Sequence, residues 1–297
     1  MRVKRVSVVI TCYNYGRYLQ ACVESVLAQT YDNIEILVID DGSTDDSASV
    51  MESFRDVVNL RYFWQENAGQ ARAKNEGIAR ATGDFVAFLD ADDVWTPTKI
   101  EQQMRCFEDP AVGVVFCQAR YLDADNQDFE YEMTGSYLQP RRGKVTEWLV
   151  FDNFVQFSSS VVRAECLHKF QGFDESLKMG IDWDLWLAIS TCYRFDYVAE
   201  PLFYYRLGHA GQMSKNLEER HRCSDRIMEK FLRSYPQAVP MDVLRKARAY
   251  TACGRGDYFR SVDRMRSYVC FLDALRNNPM EIAAYKGVIK NLLNKQG

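Results

Sequence analysis

The 297-residue sequence predicts an α/β fold: a mostly parallel sheet with flanking helices, followed by a helical C-terminal region. Three observations predict it. Short β-rich apolar runs alternate with segments of helical spacing over the first 120 residues. Two of those runs end in acidic clusters. Beyond residue 215 the strand-like runs stop and amphipathic helical spacing takes over.

Residues 6–11 form the first run, and Leu19, Val23, Val26 and Leu27 then fall on one helix face. A second strand over 35–39 ends in Asp40-Asp41-Gly42-Ser43-Thr44-Asp45, where Thr44 or Asp45 suits the N-cap of a helix running toward Phe54. Residues 60–64 make a third strand. The Gln65–Gly69 turn leads into an Ala-rich helix over 70–81, stopped by Thr82-Gly83. Residues 85–89 are a fully apolar fourth strand that runs into Asp90-Ala91-Asp92-Asp93. Pro97 suits the first turn of a helix sharing Ile100, Met104 and Phe107 on one face. Residues 112–117 form a fifth strand, and 123–143, lacking any period, reads as a long functional loop. Further on, the pattern predicts a strand over 158–162, a short helix after Arg163, a turn at Gly172-Phe173-Asp174-Glu175, a helix over 182–191 and aromatic strands through Tyr197 and Tyr205. Three or four helices follow, punctuated by Pro236, Pro240, Gly254, Gly256 and Pro279. This organisation divides the chain into 1–119 as a ligand-binding half, 120–214 as the second half of the same domain, and 215–297 as the helical tail.

With 47% hydrophobic and 26% charged residues, the composition is globular. A net charge of −4 with no basic arm gives no basis for nucleic-acid binding. The charge is unevenly spread. Residues 1–214 carry 20 Lys+Arg against 32 Asp+Glu, while 215–297 carry 17 against 9, a balance of +8. Solvated helix faces or contact with an anionic membrane account for that tail. The nine cysteines are odd in number and show no metal-ligand spacing, which fits reduced thiols in a cytoplasmic protein, including one working at the inner face of the cell membrane. No stretch reaches the roughly 18–20 apolar residues of a membrane span.

In an open parallel sheet, ligands bind beyond the carboxyl ends of the strands, so Asp40/Asp41 and Asp90/Asp92/Asp93 face one crevice. Clustered carboxylates repel unless a cation neutralises them. Hard oxygen ligands favour Mg2+ or Mn2+, held by one or two carboxylates plus substrate phosphates. An EF-hand calcium loop does not fit, because neither cluster has its ligand and Gly spacing. A solvated acidic loop is the bland alternative.

Four blocks carry a stronger signal: Val6-Ser-Val-Val-Ile-Thr-Cys-Tyr-Asn14, Ile36-Leu-Val-Ile-Asp-Asp-Gly-Ser-Thr-Asp45, Asn67-Ala-Gly69 with Ala73-Lys-Asn75, and Phe88-Leu-Asp-Ala-Asp-Asp93. In order and spacing they resemble the inverting family 2 glycosyltransferases of the GT-A fold, a Rossmann-like sheet architecture. The resemblance continues loosely through Gly172-Phe-Asp-Glu175, Asp182-Trp-Asp-Leu-Trp-Leu187, and Tyr205-Arg206 with His209 and Ser214. It implies transfer of a sugar from a nucleoside diphosphate sugar, UDP favoured, to a glycan or lipid-linked glycan acceptor in cell-surface glycan biosynthesis.

Carried over residue by residue, the resemblance puts Thr11 and Tyr13 in the nucleoside pocket and Asp41 on base or ribose. Asp90 approaches the ribose, and Asp92 or Asp93 ligates the metal. Lys74, in the position of a basic residue before the block's Asn, contacts the donor or lies on the surface. Asp182 is the implied general base, although Ile181 stands where the family places Glu. Asp184 competes for that role, and helix capping is the structural alternative for Asp182. His209 ligates metal, binds phosphate or is a loop residue; Arg206 pairs with diphosphate or with another carboxylate. Trp183 and Trp186 read as core.

Rival classes fit less well. A dinucleotide oxidoreductase needs Gly-x-Gly-x-x-Gly after the first strand, and none is there. A sugar-phosphate nucleotidyltransferase needs a Gly-rich basic loop where Cys12-Tyr-Asn-Tyr-Gly-Arg17 stands. A glycoside hydrolase has no need of a strand-end Asp-x-Asp. A nucleotide-sugar-binding protein with impaired catalysis rests on Ile181 alone.

Overall fold

The computed structural model describes residues 3–131, 135, 137–209 and 216–293; Ser214 and the 214/215 boundary lie outside them. Within them the chain forms β1 (Val6–Cys12), α1 (Gly16–Leu27), β2 (Ile34–Asp40), α2 (Ser47–Glu52), β3 (Leu60–Trp64), α3 (Gln70–Arg80), β4 (Phe85–Asp90), β5 (Val94–Trp95), α4 (Lys99–Arg105), β6 (Val112–Leu122) and β7 (Asp128–Phe129). Then come α5 (Thr146–Leu149), β8 (Val161–Arg163), α6 (Ala164–Phe170), α7 (Ile181–Ser190) and β9 (Arg194–Arg206), and helices α8 (Leu217–Ser234), α9 (Met241–Phe259), α10 (Arg264–Asn277) and α11 (Ile282–Leu293).

The strands form one sheet in the order β3-β2-β1-β4-β8-β6-β9-β5, with β7 on β6. β3, β2, β1 and β4 are mutually parallel, and β6 runs parallel to β9; β8 is antiparallel to β4 and β6. β1 and β2 are buried along their whole length, as continuous apolar runs between two helix layers require. One face packs Val9, Leu37, Phe88 and Val114 against α3, α6 and α7. The other packs Val8, Ile36 and Leu89 against α1 and α4. Register sets the site. Thr11 stands beside Asp90, and Cys12 beside Asp40, so three strand ends finish level.

Several expectations change. The sixth strand continues to Leu122 and turns back at Asn126 (φ 64) into β7, so the loop from 123 begins as a hairpin. Residues 157–159 form a 3-10 turn, and β8 begins only at Val161. α2 is capped at Asp46; Asp45 instead accepts the Ser47 N–H and hydroxyl and the Gly16 N–H. Pro97 precedes α4, whose cap is Thr98, and Phe107 belongs to a following 3-10 turn. Gly254 and Gly256 lie inside α9. A Cβ on Gly256 would meet the Phe271 ring at 2.7 Å, so this glycine admits α10 rather than ending a helix.

Candidate active site

The ends of β1, β2 and β4 bring Thr11, Asp41 and Asp90 to one edge. Lys74 on α3 reaches them from below. Its ammonium is 2.8 Å from Asp90 Oδ1 and 3.3 Å from Thr11 Oγ1, lies over the Phe157 ring at 4.2 Å, and is 3% exposed. An ammonium buried this deeply needs a carboxylate partner, and Asp90 is that partner. The Thr11 hydroxyl also donates to Asp90 Oδ1 at 3.2 Å, and the Asp90 N–H donates to Ser158 Oγ. The surface alternative for Lys74 is therefore excluded.

Asp41 is buried and its carboxylate accepts from Gln65 Nε2 and the Ala68 and Gly69 N–H groups at 2.7–2.9 Å. It thus fixes the turn leading into α3. Tyr13 projects from the end of β1 half-exposed, while Asn14 beside it adopts φ 57 and accepts the Thr44 N–H.

In the turn after β4, Asp92 and Asp93 diverge. Asp92 Oδ2 lies 2.9 Å from His209 Nε2, and the carboxylate keeps some exposure. Asp93 is buried, and its Oδ1 accepts the Arg206 N–H. Burial, with Asp92 and Asp90 nearby, holds the Asp93 carboxyl well above the usual range. His209 is fully covered by the edges of Tyr15 and Tyr18. Burial and the charges of Asp92 and Asp90 raise the Tyr15 hydroxyl, which stays neutral. Arg206 is buried over Tyr18 and donates to the carbonyls of Asp92 and Asp123. Its guanidinium thus braces the backbone of the Asp-rich turn.

Among the described residues no group of three His, Cys, Asp or Glu side chains converges as a closed metal cage. The Asp92–His209 pair suits a more open site. One carboxylate and one imidazole side by side would leave the remaining ligands of such an ion to phosphate oxygens and water.

Asp182 lies in the first turn of α7. Gly180 (φ 70) occupies the N-cap, so Asp182 is not the cap residue. Its Oδ2 accepts from Asn153 Nδ2 at 2.7 Å, and the Asn153 amide is oriented because its own Oδ1 accepts the Val155 N–H. Burial raises the Asp182 carboxyl; the helix N–H groups, Asn153 and the charge of Lys74 pull it partway back. Asp184 faces the other way, bound to Lys230 of α8 at 2.7 Å, and Lys230 also holds Asp174. Trp186 is fully buried; Trp183 donates to the Leu149 carbonyl. Asn75 of the third block pins the Gly172 turn, exchanging bonds with the Phe173 N–H and carbonyl. Asn153, Ser158 and Tyr15 are site neighbours that no sequence spacing marked.

Residues 7–165 match the family model described as Glycosyl transferase family 2. An uncharacterized glycosyltransferase of Nostoc sp. is 35% identical over 217 residues, covering 68% of this chain and 65% of its own length. The chain thus spans just under two thirds of that relative. S. aureus TarS 1-349 in complex with UDP superposes with a TM-score of 0.67 at 16% identity, over 98% of this chain and 92% of that one. Mannosyltransferase PcManGT from Pyrobaculum calidifontis, in complex with GDP-Man and Mn2+, does so with 0.62 at 17% identity, over 99% and 88%. The two solved structures share the GT-A fold with this chain. Four sequence blocks brought to one strand edge, and a family model covering them, lead to one conclusion: the chain belongs to glycosyl transferase family 2.

Proposed function

We propose that this chain transfers a sugar, with inversion, from a nucleoside diphosphate sugar to a hydroxyl of a glycan or lipid-linked glycan acceptor in cell-surface glycan biosynthesis, with a UDP-sugar as the favoured donor. The observation that carries it is the buried Lys74 ammonium, bound to Asp90 and Thr11 at the strand edge where the four sequence blocks converge. The UDP complex of TarS supports the donor class, and the Mn2+ of the PcManGT complex supports a divalent cation.

Thr11 and Asp90 border the nucleoside, and half-exposed Tyr13 offers a stacking face for the base. Asp92 and His209 would hold Mn2+ or Mg2+. When bound, such a cation neutralises the charge that develops on the departing diphosphate. Asp93 and Arg206 keep the Asp-rich turn in shape. On the acceptor side Asp182, oriented by Asn153, takes the hydroxyl proton as the acceptor oxygen bonds to the anomeric carbon and the bond to diphosphate breaks. A carboxyl raised by burial holds that proton better than a solvated one. A single displacement needs no enzyme nucleophile, and its outcome is inversion.

The test is thermal protection. UDP at a hundred times its Kd should stabilise the fold by about 2.7 kcal/mol by mass action, with Mn2+ present and not with chelator. Asp92→Ala should abolish the metal-dependent part. Protection indifferent to chelator would overturn the metal site.

A further inference from the structure

The last three helices form a unit whose inside is small and whose outside is unusually apolar. Its core is Ala249, Ala252, Cys253, Phe271, Ala274 and Ala284, with Phe271 seated between Gly256 and Gly287. More than half of the exposed large apolar side chains among the described residues fall between Met241 and Leu293. On α10, Met265 (73% exposed), Val269 (63%) and Leu272 (59%) line up at i, i+4 and i+7, opposite the buried Ser267, Phe271 and Ala274. On α11, Ile282, Ile289 and Leu293 make a second outward row, flanked by Lys286 and Lys290. The α10 row is continuous over two helical turns, unlike the singly scattered apolar residues normal on a surface.

The α10 row ends in charge. Four residues after Leu272 comes Arg276, and it lines a cleft with Arg245 and Arg248 of α9, Asp273 and Asn277. Among the described residues none of these three guanidiniums has a hydrogen-bond or ion-pair partner, while the nearby Arg255, Arg260 and Arg266 are paired with carboxylates. An apolar row that ends at unpaired arginines matches a surface whose acyl layer lies beneath a layer of negative headgroups. The +8 balance of residues 215–297 extends the match. No helix of the described residues is long and apolar enough to cross a bilayer, so the contact is interfacial.

We propose that α10, with its arginine-lined end, is a docking surface for an anionic lipid bilayer. The side chains of Met265, Val269 and Leu272 enter the headgroup boundary, and Arg245, Arg248 and Arg276 bind lipid phosphates. This inference is independent of the donor and base assignments.

The test is flotation of the full chain with phosphatidylcholine vesicles against vesicles containing 30% phosphatidylserine. Binding to the anionic vesicles alone, weakened at least tenfold between 50 and 500 mM salt, is expected. R245E/R248E/R276E should lower affinity by about a hundredfold or more at low salt, and V269E/L272E should abolish binding. Unchanged thermal unfolding establishes that both variants fold. Equal flotation with neutral vesicles, binding retained in either variant, or no binding at low salt would each overturn the proposal. So would a concentration-dependent dimer in solution that V269E/L272E converts to monomer, because the face would then belong to a second copy.

Discussion

Lys74 is the buried cation that ties Asp90 and Thr11 together at the strand edge, and Lys74→Met is the perturbation that tests it. The substitution keeps side-chain length and packing on Phe157 but removes the charge that pairs with Asp90 at 2.8 Å. Breaking a fully buried pair costs about 3–5 kcal/mol. Here Lys74 is covered but the Asp90 side chain is 35% exposed, so water relieves part of the loss. About 1–3 kcal/mol of destabilisation is expected, which lowers Tm by several degrees for a chain of this size. Asp90→Asn alone leaves a buried ammonium with Thr11 as its hydrogen-bond partner and costs a similar amount. The double variant K74M/D90N should recover about 1–2 kcal/mol relative to the sum of the singles, measured by urea unfolding. Losses that add within about 0.5 kcal/mol would refute the coupling. The same cation favours ionised Asp182, so K74M should also move the acid limb of the kcat/KM profile to higher pH.

Asn153→Ala removes the donor that orients Asp182 and favours its charged form. It should lower kcat by about 10- to 100-fold, shift the acid limb upward and leave donor KM nearly unchanged; an unmoved pH profile contradicts the positioning role. Lys99 is fully buried over Trp95, donates to Gln103, and is held down at about 8 by burial. Below pH 8 the folded chain carries a buried charge that the unfolded chain, titrating near 10.5, does not suffer. Between pH 8 and 10.5 that penalty disappears, so stability contributed through Lys99 rises with pH. The stability of K99M relative to wild type should therefore fall by about 3 kcal/mol from pH 7 to 10.5, by denaturant titration at each pH. A constant difference contradicts a depressed lysine.

That Thr11, Asp41 and Asp90 share one edge was legible because each closes or follows an apolar strand. Apolar strands ending in acid residues imply a crevice; the register that sets Thr11 beside Asp90 and Cys12 beside Asp40 is supplied by the fold. What could not be read is where each carboxylate turns. Asp92 and Asp93 are adjacent in sequence, yet one pairs with His209 and the other is held by the Arg206 backbone 113 residues away. Asn153 had no signal, because it sits in an aperiodic segment and acts only after α7 docks beside it. Gly256 shows the opposite error, a helix-breaking type used for close packing under Phe271. Asp182 and Asp184 separated in sequence as expected for a helix, but only the fold supplies Lys230 as the partner that occupies Asp184.

In the proposed reaction, donor holding and transfer fall to different carboxylates, and Asp182→Asn separates them. Donor affinity is measured by calorimetry with the best nucleoside diphosphate sugar from a screen of UDP-, GDP- and dTDP-sugars, and turnover by nucleoside diphosphate release with acceptor present. Donor Kd should stay within about twofold of wild type while transfer falls by about 10²–10⁴. Transfer at the wild-type rate, or donor binding lost together with it, would contradict the assignment of Asp182 as the base.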